Sequence, residues 1–371
     1  MSAQPPDGAP NPDSFASVFD VYEVRRDDGR VLYFGDPETD RETLMETVWP
    51  AFRERGYEVS LTRRTGEIVL VAEPHDATTD DGGFPWTNLA LFVATIASTL
   101  FVGANWYYVD PFSPEILRAL PFTLAVVGVL GVHELGHYAM SRYHDVDASL
   151  PYFIPFPSLF GTMGAVIRMR GRIPDRRALF DIGVAGPLAG LVAAIGVSAV
   201  GLVLPPVTVP PEIVNSADAV EVQFAYPPLL RAIAVTLGEP LSYSDPSLSI
   251  NPVVMGGWIG MFITFLNLIP VGQLDGGHVL RSLAGEHAER IAPLVPTALF
   301  ALAGYQWFVA DAGNAAGIWV LWGIIATVIS FAGSVDPVDD SPLDRRRIAV
   351  GVLAFVLGAL CFMRVPIQIV G

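Results

Sequence analysis

Residues 124–143 read LAVVGVLGVHELGHYAMSRY, an unbroken run of apolar residues and glycine that leads straight into His133, Glu134 and His137. The run is hydrophobic enough to enter a bilayer, where an ionisable side chain costs at least about 2.5 to 3.5 kcal/mol on insertion scales. Three such residues within five positions require compensation. His133 and His137 stand four apart, so on a helix their imidazoles share one face and can hold one metal ion, while Glu134 is turned by about 100° and acts on a water without ligating. The HExxH spacing is that of a zinc site whose metal lowers the pKa of its water to about 7 and whose glutamate takes the proton.

The rest of the chain suits a membrane setting. Of 371 residues 51 % are hydrophobic and 16 % charged, against about 25 % charged in ordinary soluble domains. The mean hydropathy is +0.45. The formal charge is −16, and every basic residue is Arg. Such acidity argues against nucleic acid and anionic lipid surfaces as partners, and it is the composition of a salt-rich cytoplasm, as in halophilic archaea. The lone cysteine, Cys361, lies in an apolar run and reads as a small buried hydrophobe. The polar, acidic start lacks the features of a signal peptide, so the first apolar span is expected to direct insertion.

Residues 1–84 read as a separate block. After a disordered start over 1–15, strands flank an Asp28-Gly29 turn and a Thr65-Gly66 turn. Between them, a helix opens with Thr39 and Glu42 as a capping box and carries Leu44, Val48 and Phe52 on one face, with Pro50 expected to kink or split it. The expectation is a small α+β cytoplasmic domain of ββαββ order over 16–74 and a linker over 75–85. From residue 86 onward, apolar windows of bilayer length recur at about 86–108, 119–141, 179–204, 252–272, 291–310, 316–334 and 348–364. The fold expected is a polytopic α-helical membrane protein of six or seven spans, 86–371, with a core of three helices around the metal. All arginines except Arg118, Arg231 and Arg364 then fall on one side, which the positive-inside rule makes cytoplasmic, together with the His133 end of its helix.

Two histidines need a further ligand. His144, Asp145, Asp147, Asp181 and Asp275 are available, and Asp275 is favoured because it follows an apolar helix directly in FLNLIPVGQLDGGHVL, residues 265–280. There Pro270 and Gly272 interrupt the helix, and Gly276 with Gly277 permit close backbone approach to the metal. Gly131 and Gly136 are expected to leave room beside the metal. Asn267 in the same stretch is placed to donate to a developing oxyanion, or to bond between helices.

HELGH followed by NLIPVGQLDGGH resembles the site-2 protease family of intramembrane zinc metalloproteases. The match rests on HExxH and on Asn267, Pro270, Asp275 and Gly276 of an Asn-x-x-Pro-x(4)-Asp-Gly element, and it covers about 119–285. GTMGAVIRMR and FDIGVAGPLAG also look like the family's linking segment and third core helix. The resemblance implies one Zn2+ per chain held by His133, His137 and Asp275, Glu134 as general base, and a transmembrane protein substrate within the lipid. No PDZ-like insert is recognisable. Under that resemblance LPYFIPFPSLFGTMGAVIRMRGRIP, residues 150–174, is expected to form a membrane-dipping sheet whose strand over 164–170, with Gly164, Ala165, Val166 and Ile167, pairs with an unwound substrate. The rivals are a prenyl-peptide peptidase, which would use a later intramembrane Glu, and a membrane zinc transporter or metal sensor, which would line a path with further acids or histidines.

Overall fold

The computed structural model describes residues 8–27, 29–64, 67–74, 84–157, 159–170, 172–216, 221–310, 312–333, 335–339 and 341–370. The chain divides into two compact units, Met1–Phe84 with Pro337–Asp340, and Pro85–Asp336 with Ser341–Gly371.

The first unit holds strands β1 (Phe19–Asp27) and β2 (Arg30–Pro37), helix α1 (Arg41–Arg53), and strands β3 (Tyr57–Arg64) and β4 (Glu67–Pro74). The antiparallel sheet runs β1-β2-β4-β3. Tight hairpins close at Asp27 opposite Arg30 and at Arg64 opposite Glu67; the turn residues Asp28, Thr65 and Gly66 lie outside the described residues. Strand alternation sends Val31, Tyr33, Leu70 and Ala72 to the side where Leu44, Val48 and Phe52 of α1 pack, and Leu32, Phe34, Val69 and Val71 to the other. Two details differ from the sequence expectation. Asp40, not Thr39, caps α1, accepting from the Thr43 N–H at 3.0 Å, and the side chain of Glu42 lies outside the described residues. Pro50 sits in the last turn, where its missing N–H removes a single bond, and α1 runs through it unbroken. Within the start expected to be disordered, Phe15 is large and apolar and inserts into the core, and the Tyr33 hydroxyl donates to the Pro10 carbonyl at 2.9 Å; residues 1–7 lie outside the described residues. Most of the linker, 75–83, lies outside the described residues.

The second unit begins with α2 (Trp86–Trp106) and α3 (Leu120–Tyr143), followed by four short strands, β5 (Asp147–Ala148), β6 (Tyr152–Pro155), β7 (Thr162–Val166) and β8 (Met169–Arg170). Then come α4 (Arg176–Val203), β9 (Val207–Thr208), α5 (Pro211–Val214), β10 (Glu221–Phe224), α6 (Pro228–Leu237) and β11 (Leu248–Ser249). The chain closes with α7 (Val253–Asn267), α8 (Asp275–Ala284), α9 (Ala288–Ile291), α10 (Leu294–Phe308), α11 (Gly313–Ala332), α12 (Arg345–Leu360) and β12 (Ile367–Val370). Among the described residues, four helical stretches are long and apolar enough to cross a bilayer: Trp86–Trp106, Pro114–Tyr143, Arg176–Val203 and Ala288–Phe308. The windows at 252–272 and 348–364 hold the shorter helices α7 and α12, and the window at 316–334 holds α11, whose stretch Ala316–Phe331 is apolar; α7 stops at Asn267, three residues before Pro270. The long segment after α4 folds back, with β9 pairing β11 and β10 pairing the C-terminal β12.

The core of this unit is α3, α4 and α7 packed at glycine contacts. A Cβ on Gly136 of α3 would lie 2.7 Å from the Ala185 carbonyl oxygen, one on Gly201 of α4 2.5 Å from the Val254 nitrogen, and one on Gly256 of α7 2.5 Å from the Ala125 Cβ. Small residues let backbones approach where lipid gives no hydrophobic drive for helix association. Gly257 of α7 is the tightest case, its absent Cβ facing Ser198 Oγ and, at 2.8 Å, the Ala194 carbonyl. Gly196 of α4 faces open space instead. Gly257→Ala is therefore expected to lower the melting temperature of the detergent-solubilised chain, at a cost of about 1–3 kcal/mol from overpacking, while Gly196→Ala leaves it unchanged or raises it through helix propensity.

Candidate metal centre

His133 and His137 lie one turn apart on α3, both buried, with their rings 5.0 Å apart. Asp275 is the first residue of α8, placed there because Pro270 and the left-handed Gly272 end α7 and turn the chain back. A first-turn carboxylate faces the partial positive charge of the helix N-terminus. The three side chains converge. The His137 and His133 Nε2 atoms are 3.2 Å apart, and Asp275 Oδ2 is 3.2 Å from the first and 3.3 Å from the second. Among the described residues, these are the His, Cys, Asp and Glu side chains whose ligand atoms gather within 4.8 Å.

α4 makes this approach possible. The His137 Nδ1–H donates to the Ile182 carbonyl at 2.8 Å, which fixes the tautomer and leaves a lone pair on Nε2. A Cβ on Gly186 would collide with His137 Nε2, and one on Gly190 would sit 2.8 Å from His133 Nδ1. The small-residue run GVAGPLAG therefore faces the two imidazoles directly. Gly136 packs on Ala185, and a Cβ on Gly131 would make ordinary contact with Phe153, so neither opens space beside the cluster as expected. Gly276 and Gly277 let the backbone pass close to the carbonyls of Leu268 and Gly272 rather than to the imidazoles: the loop wraps over the start of α8.

Of the other expected site residues, Glu134 is buried, with the backbone N–H of Ile167 facing its carboxylate. Asn267, the last residue of α7, has Nδ2 3.1 Å from His133 Nε2. Asp181 stands apart from the cluster: the Arg347 Nη2 donates to it at 2.7 Å, and His144 Nε2 lies 3.0 Å from the same oxygen. Asp145 and Asp147 also lie outside the cluster. The strand expected over 164–170 is shorter than that. Gly164 has φ +112, β7 ends at Val166, and residues 167–168 separate it from the two-residue β8. β7 pairs β6 with Phe153 opposite Ala165, and its second edge carries no strand among the described residues.

The donor set fits a cation. With Nδ1 committed to Ile182, the His137 Nε2 is an acceptor, and so is the carboxylate it faces at 3.2 Å. Acceptors converging on one buried point are stabilised by a positive charge between them. Two imidazoles and a carboxylate are zinc donors, and three protein ligands leave a fourth position open, as catalytic sites do. Sequence reasoning did not identify Ile182 or the N–H of Ile167, because both act through the backbone and their residue types carry no signal.

A family profile described as peptidase family M50 matches residues 121–310, more than half of the chain. A protein named probable zinc metalloprotease EGY1, chloroplastic, from Arabidopsis thaliana is 33 % identical over 223 residues, covering 54 % of this chain and 40 % of its own length. The protein of the same name from Oryza sativa subsp. japonica is 29 % identical over 306 residues, 70 % of this chain and 51 % of its own length. Probable zinc metalloprotease EGY2, chloroplastic, from Arabidopsis thaliana is 29 % identical over 261 residues, 69 % and 44 %. The chain thus spans about half or less of the length of these curated relatives. No solved structure matches it at a significant level. Because the matched stretch runs from the first turn of α3 to just past α10, and so takes in the whole converging cluster, the chain belongs to peptidase family M50, the site-2 protease family.

Proposed function

We propose that this chain is an intramembrane zinc endopeptidase that cleaves transmembrane segments of other membrane proteins, as in regulated intramembrane proteolysis. The observation that carries the reading is the convergence of His133 Nε2, His137 Nε2 and Asp275 Oδ2, with Glu134 buried beside them on the same helix. His133, His137 and Asp275 hold one zinc, which when bound supplies a Lewis acid and lowers the pKa of a coordinated water to about 7. Glu134 takes the proton of the attacking water on its carboxylate and delivers it to the amide nitrogen as the peptide bond breaks. The Ile167 N–H keeps that carboxylate aimed. Asn267 Nδ2, already at the rim of the cluster, donates to the oxygen of the scissile carbonyl as charge develops there.

A substrate helix hides its carbonyls in internal hydrogen bonds, so it must be extended before it can react. The second edge of β7, with Gly164, Ala165 and Val166, supplies backbone partners for such a strand. Ile167 follows directly and its N–H faces Glu134, so an extended segment paired along β7 is led toward the general base. The placement in the membrane follows the arginines: a multi-pass plasma-membrane protein, with α7, α11 and α12 completing seven crossings and with the N-terminal unit and the His133 end of α3 on the cytoplasmic side.

The test is metal analysis and cleavage of a model transmembrane substrate by the purified chain in bilayers. Glu134→Ala is expected to keep about one zinc per chain and to lose about 100-fold to 10,000-fold in turnover. His137→Ala, Asp275→Ala and Gly186→Ala are expected to lose zinc and turnover together, and a chelator should abolish wild-type cleavage reversibly. Full zinc content after Asp275→Ala, or zinc flux into liposomes without cleavage, would overturn the assignment. Ile167→Pro, which removes the N–H on Glu134, is expected to keep zinc and lower kcat by about tenfold or more, whereas Ile167→Val preserves it.

A further inference from the structure

A cleft of about 930 Å³ opens between the last turns of α3, the first turns of α4 and the start of α12, and none of the cluster residues lines it. Its wall is apolar, formed by Met140, Phe180, Val184, Leu188 and Val350. Its rim is the run Arg345, Arg346 and Arg347. Arg347 is fully engaged, its Nε donating to Asp181 Oδ1 at 2.9 Å and its Nη1 to Asp344 Oδ2 at 2.5 Å. Asp344 is engaged as well, because its Oδ1 caps α12 by accepting from the backbone N–H groups of Arg346 and Arg347 at 2.9 and 3.1 Å. Both carboxylates on the cleft are thus taken. Arg345 and Arg346 are exposed, and no described residue pairs with either guanidinium.

The wall does not end inside the protein. Val192, one turn beyond Leu188 on α4, is 71 % exposed, and Leu353, one turn beyond Val350 on α12, is 52 % exposed. An apolar track therefore runs from beneath two unpaired arginines onto helix sides that face hydrocarbon. A soluble anion would use the rim and leave the track bare. A neutral lipid would use the track and leave the rim unpaired. One molecule uses both: an anionic head on an alkyl chain.

We propose that this cleft is a binding site for one anionic phospholipid, its phosphate held by Arg345 and Arg346 and one acyl chain lying along Val184, Leu188 and Val350. Guanidinium groups bind phosphate oxygens in a bidentate fork, and a basic pocket between membrane helices suits an anionic head. The overall charge of −16 opposes adsorption to an anionic surface as a whole. Binding here is local, confined to the place where carboxylates are already paired and arginines are not.

The experiment uses the full-length chain in phosphatidylcholine bilayers with spin-labelled phosphatidylglycerol or spin-labelled phosphatidylcholine, and reads the motionally restricted fraction of each. Wild type is expected to hold phosphatidylglycerol in preference to phosphatidylcholine by on the order of tenfold. R345Q/R346Q should remove that preference, while R231Q/R290Q, with the same loss of charge, should leave it in place. Leu188→Trp keeps all three arginines and fills the track, so it should weaken retention of the anionic lipid independently of the double variant. The proposal is overturned by equal retention of the two lipids, by a preference that survives R345Q/R346Q, or by displacement of the labelled lipid by glycerol 3-phosphate as effectively as by phosphatidylglycerol. Displacement by an acidic juxtamembrane peptide at equal concentration would overturn it in favour of a protein ligand.

Discussion

The whole centre depends on α4 having no side chain where it passes the two histidines. Gly186 and Gly190 present bare backbone to His137 and His133, and the Ile182 carbonyl, one turn earlier on the same helix, holds the His137 ring by its Nδ1–H. With side chains at those two positions, the imidazoles could not turn toward Asp275, and α3 could not lie so close to α4. The three converging side chains come from α3 and α8, but the space in which they meet is cut out of a third helix that adds no side chain to the cluster.

Much of this arrangement was legible because its residue types are improbable in lipid. His133, Glu134 and His137 stand out against an apolar run, and Asp275 follows a helix broken by Pro270 and Gly272; a chain keeps such features in a membrane only for a reason. The ββαββ order was legible from turn residues and from alternation in the strands. What escaped the reading acts through the backbone or through packing. The Ile167 N–H, the Ile182 carbonyl and the shortened β7 leave no trace in residue type, and Gly164 at φ +112 ends the regular alternation that suggested a longer strand. Asp40 took over the cap from Thr39 for a local reason: its two oxygens accept both the N–H and the hydroxyl of Thr43. The apolar window at 252–272 also shows what hydropathy alone misses: Pro270 and Gly272 lie inside it, and α7 ends at Asn267.

The two glycine families in the second unit have different jobs. At Gly201, Gly256 and Gly257 the missing side chain brings backbone against backbone and makes the three-helix core dense. At Gly186 and Gly190 it brings backbone against imidazole and leaves room for the rings to turn toward Asp275. Composition alone does not separate them, because all lie in stretches of small residues; only the partner opposite each position does.

Asp181 precedes Ile182, and the guanidinium of Arg347 grips its carboxylate from the first turn of α12. A single peptide unit therefore connects Arg347 to the carbonyl that sets the protonation pattern of His137. The Asp181 link makes α12 a lever arm: a rotation that drew this salt bridge outward would tilt the Ile182 carbonyl and loosen the His137 ring without touching His133, His137 or Asp275.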